Sequence, residues 1–282
     1  MNDIEEIKIK FETQGFVHLR GVIPPDMLVR AREAFDSAAK KYDAAKRNNS
    51  KANDSLGYFD IPHILDQNEV FIDLVDLPLI LSVLTSAVGS DIQLIQTMGR
   101  LFYPGPTFTA PWHSDIPQVL GIDHGAGKCL MVKAHFFLED LKPDQGCLAF
   151  IPGSHRYPAY HPKPKIRNID SSDLVIKTVP RAGDIVLFNT HLLHMALDNS
   201  SDQVRKSIIY AYGHYWMKNY ASAVPSDLDR YATTEQRKQL FGVDIEGIPH
   251  FNRRLNGNVL AQKANTVYDA GKRILKKILT RS

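Results

Sequence analysis

The chain has 282 residues with nearly balanced charge, 34 Lys and Arg against 31 Asp and Glu, and is 44% hydrophobic and 23% charged. These are globular proportions, sufficient to bury about 75% of the unfolded surface around one core, and they exclude a disordered or fibrous chain. Even charge leaves no electrostatic footprint for nucleic acid or an anionic membrane, and no apolar run reaches the roughly 18 residues of a membrane span.

In chain order, residues 16–19 form a short β-prone run after Gly15. Pro24, Pro25 and Asp26 then open a helix whose apolar positions Leu28, Ala31, Phe35, Ala38 and Tyr42 follow the 3.6-residue period. The polar, turn-rich stretch 46–57 reads as a loop. Residues 69–88 read as helical, interrupted near Asp76 and Leu77, where Pro78 suits the first turn of a second helix and Gly89 its end. From Asp91 the texture becomes strand-like, with runs at 92–96, 128–138, 148–152, 174–179, 185–189 and 205–215. Turns rich in Gly, Pro and Asp at 103–106, 142–146 and 181–184 separate them. Many short strands with such punctuation predict a β-sandwich or barrel rather than alternating β-α units. Thr233 to Gln236 resembles a capping box opening a late helix, and residues 270–282 read as a basic amphipathic helix packed on its own domain. No linker or repeat is visible, so one domain with helical flanks is expected. Two cysteines, Cys129 and Cys147, are too few for a disulfide scaffold and read as small core residues. The acidic N-terminus lacks the basic and apolar regions of a signal peptide, which points to a reduced, cytoplasmic setting.

The chemistry concentrates at 112–116, Pro-flanked Trp-His-Ser-Asp-Ile. In a strand, His113 and Asp115 would face the same way and converge on one ion. A third ligand is needed from elsewhere, and His191 and His194 both offer one. Two histidines and a carboxylate form a facial triad that leaves adjacent positions open on Fe(II). Arg205 opens another strand eleven residues after His194, and a guanidinium there can clamp a dicarboxylate. The triplet alone is weak, since eleven histidines make one chance His-x-Asp nearly expected.

Four further matches make the pattern specific. Leu101-Phe102-Tyr103-Pro104-Gly105 precedes the triplet, and Gln145-Gly146-Cys147-Leu148 runs on to Ile151-Pro152-Gly153-Ser154-His155-Arg156. Gly183-Asp184, Leu192-Leu193-His194, Asn199-Ser200-Ser201 and Arg205 follow at the expected spacing, and an N-terminal segment from Phe11 to Val22 matches as well. With Glu235 to Gly242 these resemble the phytanoyl-CoA dioxygenase family of Fe(II)/2-oxoglutarate-dependent oxygenases. The resemblance implies a mainly β fold with flanking helices, a double-stranded β-helix (jelly roll, cupin-like). Its helical N-terminal part covers about 24–89, its core about 91–216 and its helical C-terminal part about 233–282. It puts His113, Asp115 and His194 on iron, favouring His194 over His191, and Arg205 on the remote carboxylate of 2-oxoglutarate, with Ser207 assisting. Gln96 and Arg100 on the preceding strand, and Lys133 and His135 on the next, are further candidates to hold 2-oxoglutarate in the same cavity.

The implied activity consumes O2 and 2-oxoglutarate, releases succinate and CO2, and hydroxylates a C–H bond of a small molecule from natural-product or small-metabolite metabolism. Asp115 argues against halogenation, for which related enzymes carry a small residue at that position. The alternative is a non-catalytic jelly-roll binder. His155 and Arg156 are expected to shape the barrel rim. The lack of a strongly basic cluster beside His113 argues against a CoA ester, while Lys128, Lys133, Lys142, Arg156, Lys163 and Lys165 leave an anionic substrate open. Nucleic acid and membrane are not expected partners, and the oligomeric state is unread.

Overall fold

The computed structural model describes residues 4–48, 57–106, 112–116, 129–157, 166, 169 and 171–243. The expected basic helix at 270–282, Lys128, Lys163, Lys165 and most of the expected 46–57 loop lie outside them.

Two antiparallel sheets carry the fold. The larger has six strands: β1 (Phe16–Leu19), β2 (Tyr58–Ile61), β3 (Ile92–Phe102), β4 (Met131–Phe137), β7 (Ile185–Asn189) and β9 (Arg205–His214), in the order β1-β7-β4-β9-β3-β2. The smaller has β5 (Leu148–Phe150), β6 (Ile176–Thr178) and β8 (His194–Ala196), in the order β6-β5-β8. Chain neighbours are rarely sheet neighbours, as a jelly roll requires. Phe16, Phe137, Phe150, Val186 and Phe188 join the two sheets at one end in an apolar cluster, with the Phe16 and Phe150 rings stacked at 4.5 Å.

Helices cover the outer face of the large sheet. The spacing read for α2 (Pro25–Asn48) is the buried face, since Ala31, Phe35 and Ala38 are at most 3% exposed. The break at Asp76 and Leu77 is real: α3 (Val70–Asp73) ends before it, and α4 (Pro78–Ala87) starts on the proline and buries Ile80, Val83 and Leu84. Alternate residues of β9 point outward to these helices, and Tyr210 Oη and Tyr212 Oη donate to the carbonyls of Phe71 and Val75 at 2.7 and 2.9 Å. Gly99 on β3 makes close approach possible, because a Cβ there would stand 2.9 Å from the Phe35 ring. The cap expected over Thr233–Gln236 forms one residue later, with Thr234 Oγ1 accepting from the Arg237 N–H at 3.1 Å at the start of the late helix Glu235–Leu240.

Several of the described elements escaped the sequence reading. The helix α1 (Ile4–Gln14) buries only Ile7 and Phe11 among many charges, too sparse a stripe to register. Strand β2 is an edge strand of mixed character, and β8 has only three residues. Strand β3 also runs well past the expected 92–96, and a bulge between Leu94 and Gln96 re-aims it. Before the bulge Leu94 pairs with Tyr212 toward the helices, and after it Gln96 pairs with Ala211 on the inner face.

Phe35 is fully buried over Gly99, so Phe35→Ala is expected to cost about 3–5 kcal/mol. Urea unfolding followed by circular dichroism should show the midpoint shift.

Candidate active site

The inner face of the large sheet reads as rows of opposed residues. Phe102 stands opposite Arg205, Arg100 opposite Ser207, and Gln96 opposite Ala211. On the other flank of β9, Lys133 pairs with Ala211, His135 with Ile209 and Phe137 with Ser207. Directly opposed side chains share a face, so this one face gathers residues scattered along the sequence from Gln96 to Ala211. Between the sheets lies a cavity of about 430 Å³ lined by Gln96, Arg100, Lys133, His135 and Arg205 together with His113, Asp115 and His194.

The three expected ligands converge. One donor atom from each of His113, Asp115 and His194 lies within 4.8 Å of the others. His113 Nε2 is 3.9 Å from Asp115 Oδ1, and His194 Nε2 is 3.8 Å from Asp115 Oδ2. The route differs from the one the sequence suggested, because no continuous strand carries 112–116. His113 and His194 instead form a two-way backbone bridge, His113 N–H to His194 O at 3.1 Å and the reverse at 2.9 Å. The Asp115 N–H is held by Thr190 O at 2.8 Å. His194 Nδ1 meets Leu192 O at 2.9 Å, which leaves Nε2 for an ion. Ser154 Oγ accepts from the Leu193 N–H at 2.9 Å, while His155 and Arg156 both reach Glu12 O. The Pro152–Arg156 turn is thus a bracket between α1 and the segment that bears His194. His191 is not in the converging group; its backbone N–H is held by Asn189 Oδ1.

Electrostatics divide the site in two. Burial pulls His194 down to about 4 despite the neighbouring Asp115, so the imidazole is neutral and able to ligate. Burial pushes the Asp115 carboxyl up, but Lys133, whose Nζ lies 3.0 Å from Oδ2, and the two histidines outweigh it and leave the carboxyl below its ordinary value. Arg205 is 1% exposed, lies 4.5 Å from the Phe102 ring centroid and donates through Nη1 to Gly146 O. Burial, helped by the charge of Arg100, lowers it to about 9, so it stays protonated at neutral pH. No carboxylate pairs with it among the described residues, and its Nε and Ser207 Oγ are buried without a hydrogen-bond partner. A buried cation beside unsatisfied donors is what a carboxylate ligand completes. Arg100 is engaged differently, donating through Nε and Nη2 to both oxygens of Asp60 at 2.7 Å and lying 4.1 Å from the Tyr58 ring centroid. Neither Asp60 nor Tyr58 was singled out in the sequence, where β2 carries no motif. Cys129 and Cys147 are unpaired thiols, Cys129 pushed up to about 12 by burial.

A jelly roll with two histidines and a carboxylate around one point, and a buried unpaired arginine across the cavity, has the layout of an Fe(II)/2-oxoglutarate oxygenase. The chain belongs to the phytanoyl-CoA dioxygenase (PhyH) family, whose profile matches residues 11–207. It is accordingly an iron- and 2-oxoglutarate-dependent dioxygenase. Among characterised proteins it is 22% identical over 234 residues to an ectoine dioxygenase of Stutzerimonas stutzeri, covering 74% of this chain and 76% of that protein. Similar solved structures include the carbocyclase SnoK of nogalamycin biosynthesis (19% identity, TM-score 0.58, 76% of this chain and 85% of that one). Another is HygX from Streptomyces hygroscopicus with nickel and 2-oxoglutarate bound (19% identity, TM-score 0.56, 79% and 92%).

Two outcomes follow. Gly146 holds φ +64° and a Cβ there would meet the Phe102 ring at 2.8 Å, so Gly146→Ala disturbs the surface on which Arg205 rests. It should weaken 2-oxoglutarate about tenfold, roughly 1.4 kcal/mol, and iron far less, in anaerobic titrations read by absorbance. His135 is buried neutral, held well below 6.5 by burial and by Arg205 and Lys133. Its unfolded counterpart takes up a proton first, so stability of the metal-free protein should fall as pH drops below about 6.5. Thermal melts of His135→Phe should show a shallower fall.

Proposed function

We propose that this dioxygenase hydroxylates a C–H bond of a small molecule of secondary or small-metabolite metabolism, in the cytoplasm, releasing succinate and CO2. His113 and His194, through Nε2, and Asp115 hold the iron; Arg205 and Ser207 hold the remote carboxylate of 2-oxoglutarate. Iron, with 2-oxoglutarate and O2, supplies the oxidising power. The chain supplies geometry. Leu192 O fixes the His194 ring, Lys133 holds Asp115 through Oδ2, and Leu148, Phe188 and Ile209 give the cavity apolar walls that exclude water. Retention of the Asp115 carboxylate supports hydroxylation over halide transfer, since it fills the position a halide would need. Similarity to an ectoine dioxygenase and to enzymes of nogalamycin biosynthesis supports a small-molecule substrate.

The observation that carries this reading is the co-location of a complete three-ligand group and a buried arginine without a carboxylate in one cavity. Slow succinate release from 2-oxoglutarate, dependent on Fe(II) and O2, is expected even without substrate, and His113→Ala or Asp115→Ala should abolish it. Release that survives both substitutions would overturn the reading. Arg205→Ala should weaken 2-oxoglutarate about 100-fold in the same anaerobic titration, as loss of a buried charge partner does, with iron affinity moving much less.

A further inference from the structure

We infer that Ser154 is a positioning residue for His194, and that through it the last turn of α1 is coupled to the affinity of the metal site. This rests on the oxygenase reading above, which makes His194 an iron ligand, and adds to it a residue outside the cavity.

His194 has little regular structure of its own to hold it, since it opens the three-residue strand β8 and is preceded by a turn. The Leu193 peptide just before it is gripped from both sides by one segment. The Ile151 N–H donates to Leu193 O at 3.0 Å, and the Leu193 N–H donates to Ser154 Oγ at 2.9 Å. Ser154 is 2% exposed and Leu193 5%, so bulk water does not stand in for the hydroxyl. An N–H buried without an acceptor is costly, and the backbone relieves that cost by moving. The backbone concerned runs from Leu192 to His194, and Leu192 O is the acceptor that orients the His194 ring through Nδ1 at 2.9 Å. A shift there turns Nε2, which lies 3.8 Å from Asp115 Oδ2, away from the point that the three donors share.

The far side of the same segment is fastened to α1. Ser154 begins a short 3-10 turn, Ser154–Arg156. Around it the Gly153 N–H donates to Gln14 O at 2.9 Å, and His155 Nε2 and Arg156 Nη2 donate to Glu12 O at 3.0 and 2.8 Å. Gly15 packs on both ends of the Ser154–Leu193 link, because a Cβ there would stand 2.5 Å from His155 Nδ1 and 2.7 Å from Leu192 Cδ1. Its carbonyl accepts the Asn189 N–H at 2.8 Å. The carbonyls of Glu12, Gln14 and Gly15 thus anchor the two segments that Ser154 joins, 151–156 and 189–194. Coupling of this kind is reciprocal: what fixes His194 also fixes the turn against α1.

The experiment uses the full chain with cobalt(II), whose visible bands report its coordination, and with diamagnetic zinc. Ser154→Ala should weaken cobalt about tenfold, the low end of the range for residues that brace a metal ligand, and shift its visible bands. The Kd for 2-oxoglutarate at saturating metal should move less. Tyr212→Phe is the control, since it removes a buried hydroxyl bond to Val75 O on the helix side of β9. It should lower the melting temperature and leave cobalt affinity as in wild type. Zinc should slow amide exchange at Gly153 in the wild-type chain, read by NMR, and do so far less in Ser154→Ala. The inference is overturned if Ser154→Ala leaves cobalt affinity and bands as in wild type, if Tyr212→Phe costs cobalt as much, or if zinc leaves Gly153 exchange unaltered. The last comparison needs only the wild-type chain, so it decides even where Ser154→Ala fails to fold. Cobalt that binds wild type, His113→Ala and Asp115→Ala alike would count against the oxygenase reading instead, which keeps the two apart.

Discussion

A guanidinium taken out of water is expensive where no carboxylate stands beside it, as holds for Arg205 among the described residues, and its neighbourhood is arranged to make it tolerable. The Phe102 ring lies against it, the Gly146 carbonyl accepts one N–H, and Ser207 sits two residues on along the same strand. What none of these provides is a counter-charge. The turn that launches β9 keeps the residue in place. Asn199 Nδ2 ties Phe102 O and Gln203 O, at 3.1 and 2.8 Å, so the start of β9 and the end of β3 are locked together. A site built this way is poised for an anionic ligand, and in the function proposed above 2-oxoglutarate supplies one.

The two sheets divide the labour. The large sheet supplies charge and polarity through the inward residues of β3, β4 and β9, each placed by ladder register. The proposed metal ligands come from the opposite side, from His194 on β8 and from the segment bridged to it. Their placement depends on a handful of backbone hydrogen bonds to Thr190, Leu192 and Ser154 instead of a long ladder. Short links of this kind hold side chains without a strand's alternation, so His113 and Asp115 can turn toward one point from irregular backbone.

The helices act at one remove. By covering the outer face of the large sheet they keep its alternation strict, with Ile208, Tyr210 and Tyr212 outward and Arg205, Ser207 and Ile209 inward. A one-residue slip in β9 would put the cationic row into the helix interface and the tyrosines into the cavity. Tyrosine hydroxyl bonds to the carbonyls of Phe71 and Val75 oppose that slip directly.

Much of this was legible in the residues alone. The helix of Phe35, the break at Pro78, the strand 185–189 and the His113, Asp115, His194 and Arg205 set all follow from local periodicity, turn chemistry and family resemblance, because each signal lies within a short window. The missed parts lack such a window. Strand β2 has no alternation to show, α1 has two buried residues, and the bulge after Leu94 reverses the facing of Gln96 in a way that no local pattern marks. Sequence determined which groups are present to ligate and to bind charge. Only the tertiary structure decided that Asp60 and Tyr58 hold Arg100, that Lys133 holds Asp115 and that Arg205 stands without a carboxylate among the described residues. Pairing between side chains as far apart in sequence as Arg100 and Asp60 is set by sheet register and burial, and neither is encoded in any single stretch of chain.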